Sequence, residues 1–395
     1  MIDLHQAPMN AQPSTEICFV ACHPASSSHF ADFFYELTKQ GHVRCKMIAT
    51  EKAAEVLKKR DIAFQDFFSE KKSKNLKDLS NEEQDELAAA VAHLCRHAKC
   101  VITDLGQEFS AKVQSKLAER YPSIVRIAYY DNPESFVPGG YSQTAAKVLQ
   151  KAQVIFFANA KLAEGAIYSE PSCAIDVMGK QRFGIGYANL NDSEEILKNR
   201  KSEVRKNLRS SLLPSSATTL AVYFGGANEV YYEQAFPRFL AIVQQAAKTR
   251  DLSYLTIILQ QHPRALLEGN RDGILLEEWK KSAGSHAPHI EISTHSFNEI
   301  LTAADLALYY QTSVAAKFML SGVPTAQIGH DPYPDVLIRN HFCPAITNSK
   351  QFLQLIQHIP HEPSAENRKK IARESGINPA WPEQLATTLS LLMNE

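Results

Sequence analysis

The chain has 395 residues, a formal net charge of -1 at pH 7, 44% hydrophobic residues and 22% charged residues. That length fits two domains, and the composition is that of an ordinary globular protein. The near-neutral balance leaves no electrostatic footprint for nucleic acid or an acidic membrane, and no apolar run is long enough to span a bilayer. Residues 1–16 carry no basic region followed by an apolar core, so a cytoplasmic protein is expected. The cysteines Cys18, Cys22, Cys45, Cys95, Cys100, Cys173 and Cys343 are scattered through apolar contexts. This predicts buried thiols rather than a disulfide framework or a metal site.

In chain order, residues 16–22 (EICFVAC) read as a first strand, and a helix over 28–40 ends at Gly41. A strand over 43–49, a helix over 53–60 and a short strand over 62–64 follow, then a Lys/Ser-rich loop over 69–80. A helix over 81–98 with acidic residues in its first turn leads to a strand over 100–103, a helix over 106–120 and strands over 124–130 and 153–158. The charged, then Ser/Pro-rich stretch between Asn191 and Thr219 reads as a boundary that carries a helix in its first part. LAVYF at 220–224 opens a second series, with helices over 235–250, 274–281, 297–303 and 314–320. Strands over 255–259, 289–292, 306–310 and 325–328 alternate with them, and Gly322 is a helix stop. A final helix over 381–392 closes the chain. Such alternation predicts parallel sheets covered by helices on both faces.

In open parallel sheets, ligands bind outside the carboxyl ends of the strands. The residues just after each expected strand are therefore the candidates. His23 and His29, in HPASSSH after the first strand, are bases suited to neutral pH. Asp104 is placed to cap the next helix, and Asp131 opens a long loop, DNPESFVPGG, rich in carboxylates and glycines. In the second half, Gly225-Gly226 follows LAVYF and allows close approach of a backbone to a ligand. His262 and Arg264 follow the 255–259 strand, and an arginine there suits a phosphate. Gln311, Thr312 and Ser313 end the 306–310 strand and open a helix, a pattern that suits an anion.

Phe224-Gly225-Gly226, Gln261-His262-Pro263-Arg264 and AADLALYYQTSVAAKFMLSGVPTAQIG together resemble the nucleotide-sugar glycosyltransferases of the GT-B fold, related to the UDP-GlcNAc 2-epimerase-like architecture. The resemblance implies two Rossmann-like parallel-sheet α/β domains facing a central cleft. Residues 1–205 would form the acceptor side and 206–380 the donor domain, with the 381–395 helix packing back across the junction. It implies a glycosyltransferase of glycan biosynthesis, inverting and metal-independent, acting on a hydroxyl acceptor. No cofactor is implied beyond the nucleotide sugar as co-substrate. Donor contacts would come from Gly225, Gly226, Asn228, His262, Arg264, Gln311, Thr312, Ser313 and Lys317. His23 is the first choice of catalytic base and Asp131 the second, with Ser27, His29 and Glu134 on the acceptor side. Lys317 stands where the family commonly has a Glu, and it can add positive charge for a phosphate or lie on the helix surface. The alternatives are a nucleotide-sugar 2-epimerase of the same fold and a non-catalytic nucleotide-sugar-binding protein.

Overall fold

The computed structural model describes residues 16–39, 41, 43–67, 76–105, 107–132, 140–164, 179–186, 192–214, 217–226, 229–262, 269–312, 314–329 and 334–394. The chain divides into two compact units, one of Met1–Asn189 with Gly376–Glu395 and one of Leu190–Ser375.

The first unit holds β1 (Glu16–Ala21), β2 (Arg44–Ala49), β3 (Gln65–Asp66), β4 (Cys100–Thr103), β5 (Val125–Tyr130), β6 (Val154–Phe157) and β7 (Gln181–Gly184). They form one sheet in the order β3-β2-β1-β4-β5-β6-β7, parallel at every pairing. The central strands are near-continuous apolar runs because helices cover both faces. Ile17 through Ala21 are all buried. Phe30 and Phe33 of the helix Pro24–Lys39 meet Phe19 and Tyr129 at ring-centroid distances of 5.4 Å and 5.1 Å. Trp381 of the helix Trp381–Asn394 packs on Phe33 at 5.4 Å, which ties the end of the chain into this unit.

The second unit holds β8 (Thr219–Phe224), β9 (Leu255–Gln260), β10 (His289–Ile292), β11 (Leu306–Tyr309), β12 (Thr325–Ile328) and β13 (Ala345–Ile346), ordered β10-β9-β8-β11-β12-β13 and again parallel throughout. Successive side chains of β8 point to opposite faces. Tyr223 stacks on Phe239 at 4.0 Å on one side, and Phe224 stacks on Phe318 at 4.1 Å on the other.

The stretch expected to be a charged boundary is mostly helical. Ser193–Arg200 and Glu203–Leu212 are helices of the second unit. Their arginines serve the C-terminal end of the helix Phe297–Ala303, where the last carbonyls lack intrahelical partners. Arg200 donates to the carbonyls of Leu301 and Ala304 at 2.9 Å and 2.6 Å, and Arg209 to that of Ala303 at 3.1 Å. Arg205 and Arg209 also pair with Asp305 at 2.8 Å and 2.7 Å.

Among the described residues, no helix is long and apolar enough to cross a membrane. Cys18, Cys22, Cys95, Cys100 and Cys343 are buried and Cys45 is half-buried, while Cys173 lies outside the described residues. Burial pushes the Cys45 and Cys343 thiols up to about 12.

Candidate functional site

In each sheet the strand order reverses at one place, between β1 and β4 in the first unit and between β8 and β11 in the second. The carboxyl ends of the strands at such a reversal form the ligand crevice of open α/β sheets.

In the first unit this place gathers His23, Ser26, Ser27, Asp104 and Asp131. The helix after β1 starts at Pro24, earlier than the expected 28, so the serines lie in its first turns rather than in a loop. Pro is well suited to the first helical position because its missing N–H has no intrahelical partner to lose. The Ser27 hydroxyl is fully buried and donates to the carbonyl of His23 at 2.7 Å. Asp104 is not the cap of the following helix Glu108–Arg120, whose N-cap position is Gln107. It is wholly buried. Its carboxylate accepts from the backbone N–H of Cys22, from that of His23 at 2.8 Å, and from the Ser110 hydroxyl at 2.9 Å. Burial pushes its carboxyl above the usual range, and the hydrogen bonds oppose that shift.

Asp131 is half-buried and accepts from the Ser26 hydroxyl at 2.8 Å. His23 is half-buried too, and among the described residues its Nδ1 has no hydrogen-bond partner. His29 is only 2% exposed, with Nδ1 2.7 Å from the Tyr129 hydroxyl. Burial lowers its pKa, against the pull of Asp131, and so favours the neutral ring. Glu134 lies outside the described residues.

In the second unit the register sets Phe224 beside both Gln260 and Tyr309, so Gly225, Gln261 and Tyr310 leave the sheet at one level. Gly225 donates its N–H to the carbonyl of Gln260 at 3.0 Å. A Cβ on Gly225 would lie 2.8 Å from the Tyr231 hydroxyl oxygen, and one on Gly226 would lie 2.9 Å from the Tyr231 ring. Both glycines therefore make room for Tyr231, which donates to Asp272 at 2.7 Å. Gln261 reaches the same carboxylate at 3.2 Å and the Asn270 side chain at 2.7 Å. Burial pushes the Asp272 carboxyl up.

Gln311 and Thr312 are half-buried at the end of β11, and the Thr312 hydroxyl accepts from the N–H of Val314 at 3.4 Å. His262 is described and half-buried, while Asn228, Arg264 and Ser313 lie outside the described residues. Lys317 is neither on the helix surface nor directed to open solvent. It is 6% exposed and paired with Asp192. Burial lowers its pKa, and the Asp192 carboxylate opposes that.

Tyr231, Asp272, Asp192 and Asn298 are the polar residues of this region that the sequence reading did not single out. Their partners lie far away in the chain, and a single sequence carries no signal for such pairs. Among the described residues, no group of three or more His, Cys, Asp or Glu side chains is arranged to hold a metal ion.

No protein-family model matches the chain, and no curated protein sequence does either. Solved structures do match it. UDP-GlcNAc 2-epimerase from Neisseria meningitidis, bound to UDP-GlcNAc, superposes with a TM-score of 0.65 at 12% identity, covering 95% of this chain and 100% of that one. The Staphylococcus aureus MnaA–UDP structure gives 0.63 at 11%, over 96% and 97% of the two chains. The Anabaena HepE protein in complex with UDP and glucose gives 0.61 at 13%, over 95% and 100%. At such identities the likeness is one of fold: two parallel-sheet α/β domains of the GT-B type, as in the UDP-GlcNAc 2-epimerases.

Proposed function

We propose that the protein is a nucleotide-sugar enzyme that transfers the glycosyl group to a hydroxyl acceptor. The observation that carries the reading is the set of strand ends at the β8/β11 reversal. Gly225-Gly226, Gln261-His262 and Gln311-Thr312 leave one sheet edge at one level, where such a fold takes its ligand. Solved structures of the same fold carry UDP or UDP-GlcNAc.

The chemistry follows from the leaving group. A nucleoside diphosphate departs from the anomeric carbon as its developing negative charge is met by fixed donors. The proposed donors are the backbone N–H groups of Gly226, Gln311 and Thr312, together with Arg264 and Ser313 from the sequence. The acceptor hydroxyl must lose its proton as it attacks. His23 is the base of first choice, because its Nδ1 is unpartnered among the described residues and an imidazole nitrogen can accept the proton. Asp131 is the second choice, with its carboxylate engaged by Ser26.

A second reading, epimerisation at C2 of the sugar, is favoured by the fact that the structures with TM-scores of 0.65 and 0.64 are UDP-GlcNAc 2-epimerases. Incubation of the full chain with a panel of sugar nucleotides, followed by chromatography and NMR, separates the readings. Transfer or hydrolysis releases the nucleoside diphosphate, epimerisation converts the sugar while it stays attached, and a binding protein does neither. The expected outcome is acceptor-dependent release that His23→Ala cuts while donor affinity is kept. Conversion to the C2 epimer without acceptor would replace the transfer reading with the second one.

A further inference from the structure

The pair of buried Lys317 and half-buried Asp192 is a charge cluster that the proposed chemistry leaves unused. The Lys317 ammonium pairs with one Asp192 oxygen, donates to Oδ1 of Asn298 at 3.4 Å, and lies 4.8 Å over the Phe297 ring. Asn298 closes the triangle by donating from Nδ2 to the other Asp192 oxygen at 2.6 Å. An ammonium has three N–H donors. A carboxylate, an amide oxygen and a ring face match that number. Asp192 is the N-cap residue of the helix Ser193–Arg200, yet its side chain makes no cap hydrogen bond there. Its carboxylate is spent on Lys317 and Asn298 instead.

The pair therefore fastens Ser193–Arg200 to the helix Ala315–Leu320, which follows the Gln311–Thr312 turn. The same two elements meet again at the far end of that short helix. Gly322 has a φ of +79°, and a Cβ there would lie 2.6 Å from Cδ1 of Leu197. Between these two attachments, Phe318 stacks on Phe224, the last residue of β8 before Gly225, at 4.1 Å and 21°. Phe297, under the Lys317 ammonium, lies 5.1 Å from the same Phe224 ring. One packed unit thus links Asp192 to both strand ends of the candidate site.

We propose that Asp192 and Lys317 form a latch that sets the position of the Gln311–Thr312 turn and the Gly225–Gly226 loop, making Asp192 a positioning residue for nucleotide-sugar binding. The proposal rests on the donor-site reading above, and it gives Lys317 an indirect role through Asp192 rather than a contact to the ligand phosphates. Removing Asp192 leaves the Lys317 ammonium buried and uncompensated, and removing Lys317 leaves the half-buried Asp192 carboxylate without its cation, whereas exchanging the two charges keeps the attraction.

The test uses the full chain with Asp192→Asn, Lys317→Met, and the exchanged pair Asp192→Lys with Lys317→Asp. UDP affinity is read by calorimetry and hydrogen exchange over residues 306–320 by mass spectrometry. Each single variant is expected to lose about tenfold in affinity and to exchange faster over that segment, and the exchanged pair to return to within about threefold of wild type. If the exchanged pair does not fold, Asp192→Leu with Lys317→Met, which removes both charges, replaces it and is expected to recover in the same way. A recovered exchange rate with binding still lost would show that Lys317 touches the nucleotide, and would overturn the latch. Unchanged affinity in Asp192→Asn would also overturn it. Failure of the wild-type chain to bind any nucleoside diphosphate is a different result: it removes the donor-site reading itself, and with it the role given to Asp192.

Discussion

The two units run the same strand order through their reversal points and fill those points differently. Between β1 and β4, a buried carboxylate closes the edge: Asp104 takes the backbone N–H groups of Cys22 and His23 and the Ser110 hydroxyl. Between β8 and β11, the Tyr231 ring packs on Gly225 and Gly226, and the carboxylate sits one layer back, on Asp272, which accepts from the Tyr231 hydroxyl. The strand order alone therefore does not make a site. The residues just past the strands decide whether the chain satisfies its own amides or leaves that edge to a ligand.

The largest expected effect breaks the closed edge. Asp104→Ala orphans three donors at once, two of them in buried hydrogen bonds, and is expected to cost about 3 kcal/mol, read as a lower thermal midpoint. A midpoint within a degree of wild type would mean that those donors find other partners. At the β8/β11 edge, Gly226→Ala would press a Cβ to 2.9 Å from the Tyr231 ring. Overpacking of that kind costs about 1–3 kcal/mol. It should also weaken UDP binding more than Asp104→Ala does, and equal weakening would erase the contrast between the two edges.

The smallest effect is on pH dependence. Burial raises the Asp272 carboxyl above its unfolded value, so the folded chain keeps a proton that the unfolded chain has released. Stability contributed by this group is therefore full below the unfolded value and is lost as the pH rises through the folded one. Asp272→Asn removes that loss, so the variant should gain stability relative to wild type from pH 4 to pH 7 in denaturant titrations. A constant difference across that range would contradict the assignment.

Much of the fold is legible in the sequence because the parallel strands are buried on both faces. Runs such as EICFVA and TLAVYF have few polar interruptions and stand out against their helices. Gly322 was legible for the same kind of reason: a left-handed residue after a helix end favours glycine, and its N–H returns to the Met319 carbonyl at 3.0 Å. Edge elements were not. β7 reads QRFG, half polar, and β3 is the pair Gln65–Asp66 rather than the apolar residues before it. The helices Gly140–Lys151, Ser349–Gln357 and Ala365–Glu374 are not legible in the sequence either, the last with a single buried apolar residue, Ile371, to mark its face.

Within the candidate site, the strand ends were visible as small and polar residues after apolar runs. What they bond to was not. Lys317 reads as a helix-surface or phosphate lysine until Asp192 and Asn298 are seen beside it. The glycine pair reads as room for a ligand until Tyr231 is seen packed on it. Both cases turn on a partner that only tertiary packing supplies.

Crystals of the full chain grown with UDP test whether the β8/β11 edge holds the nucleotide diphosphate. Diphosphate density is expected at the ends of β8 and β11, beside Gly226 and Thr312, with the Lys317–Asp192 pair intact. UDP bound elsewhere with those strand ends empty would contradict it.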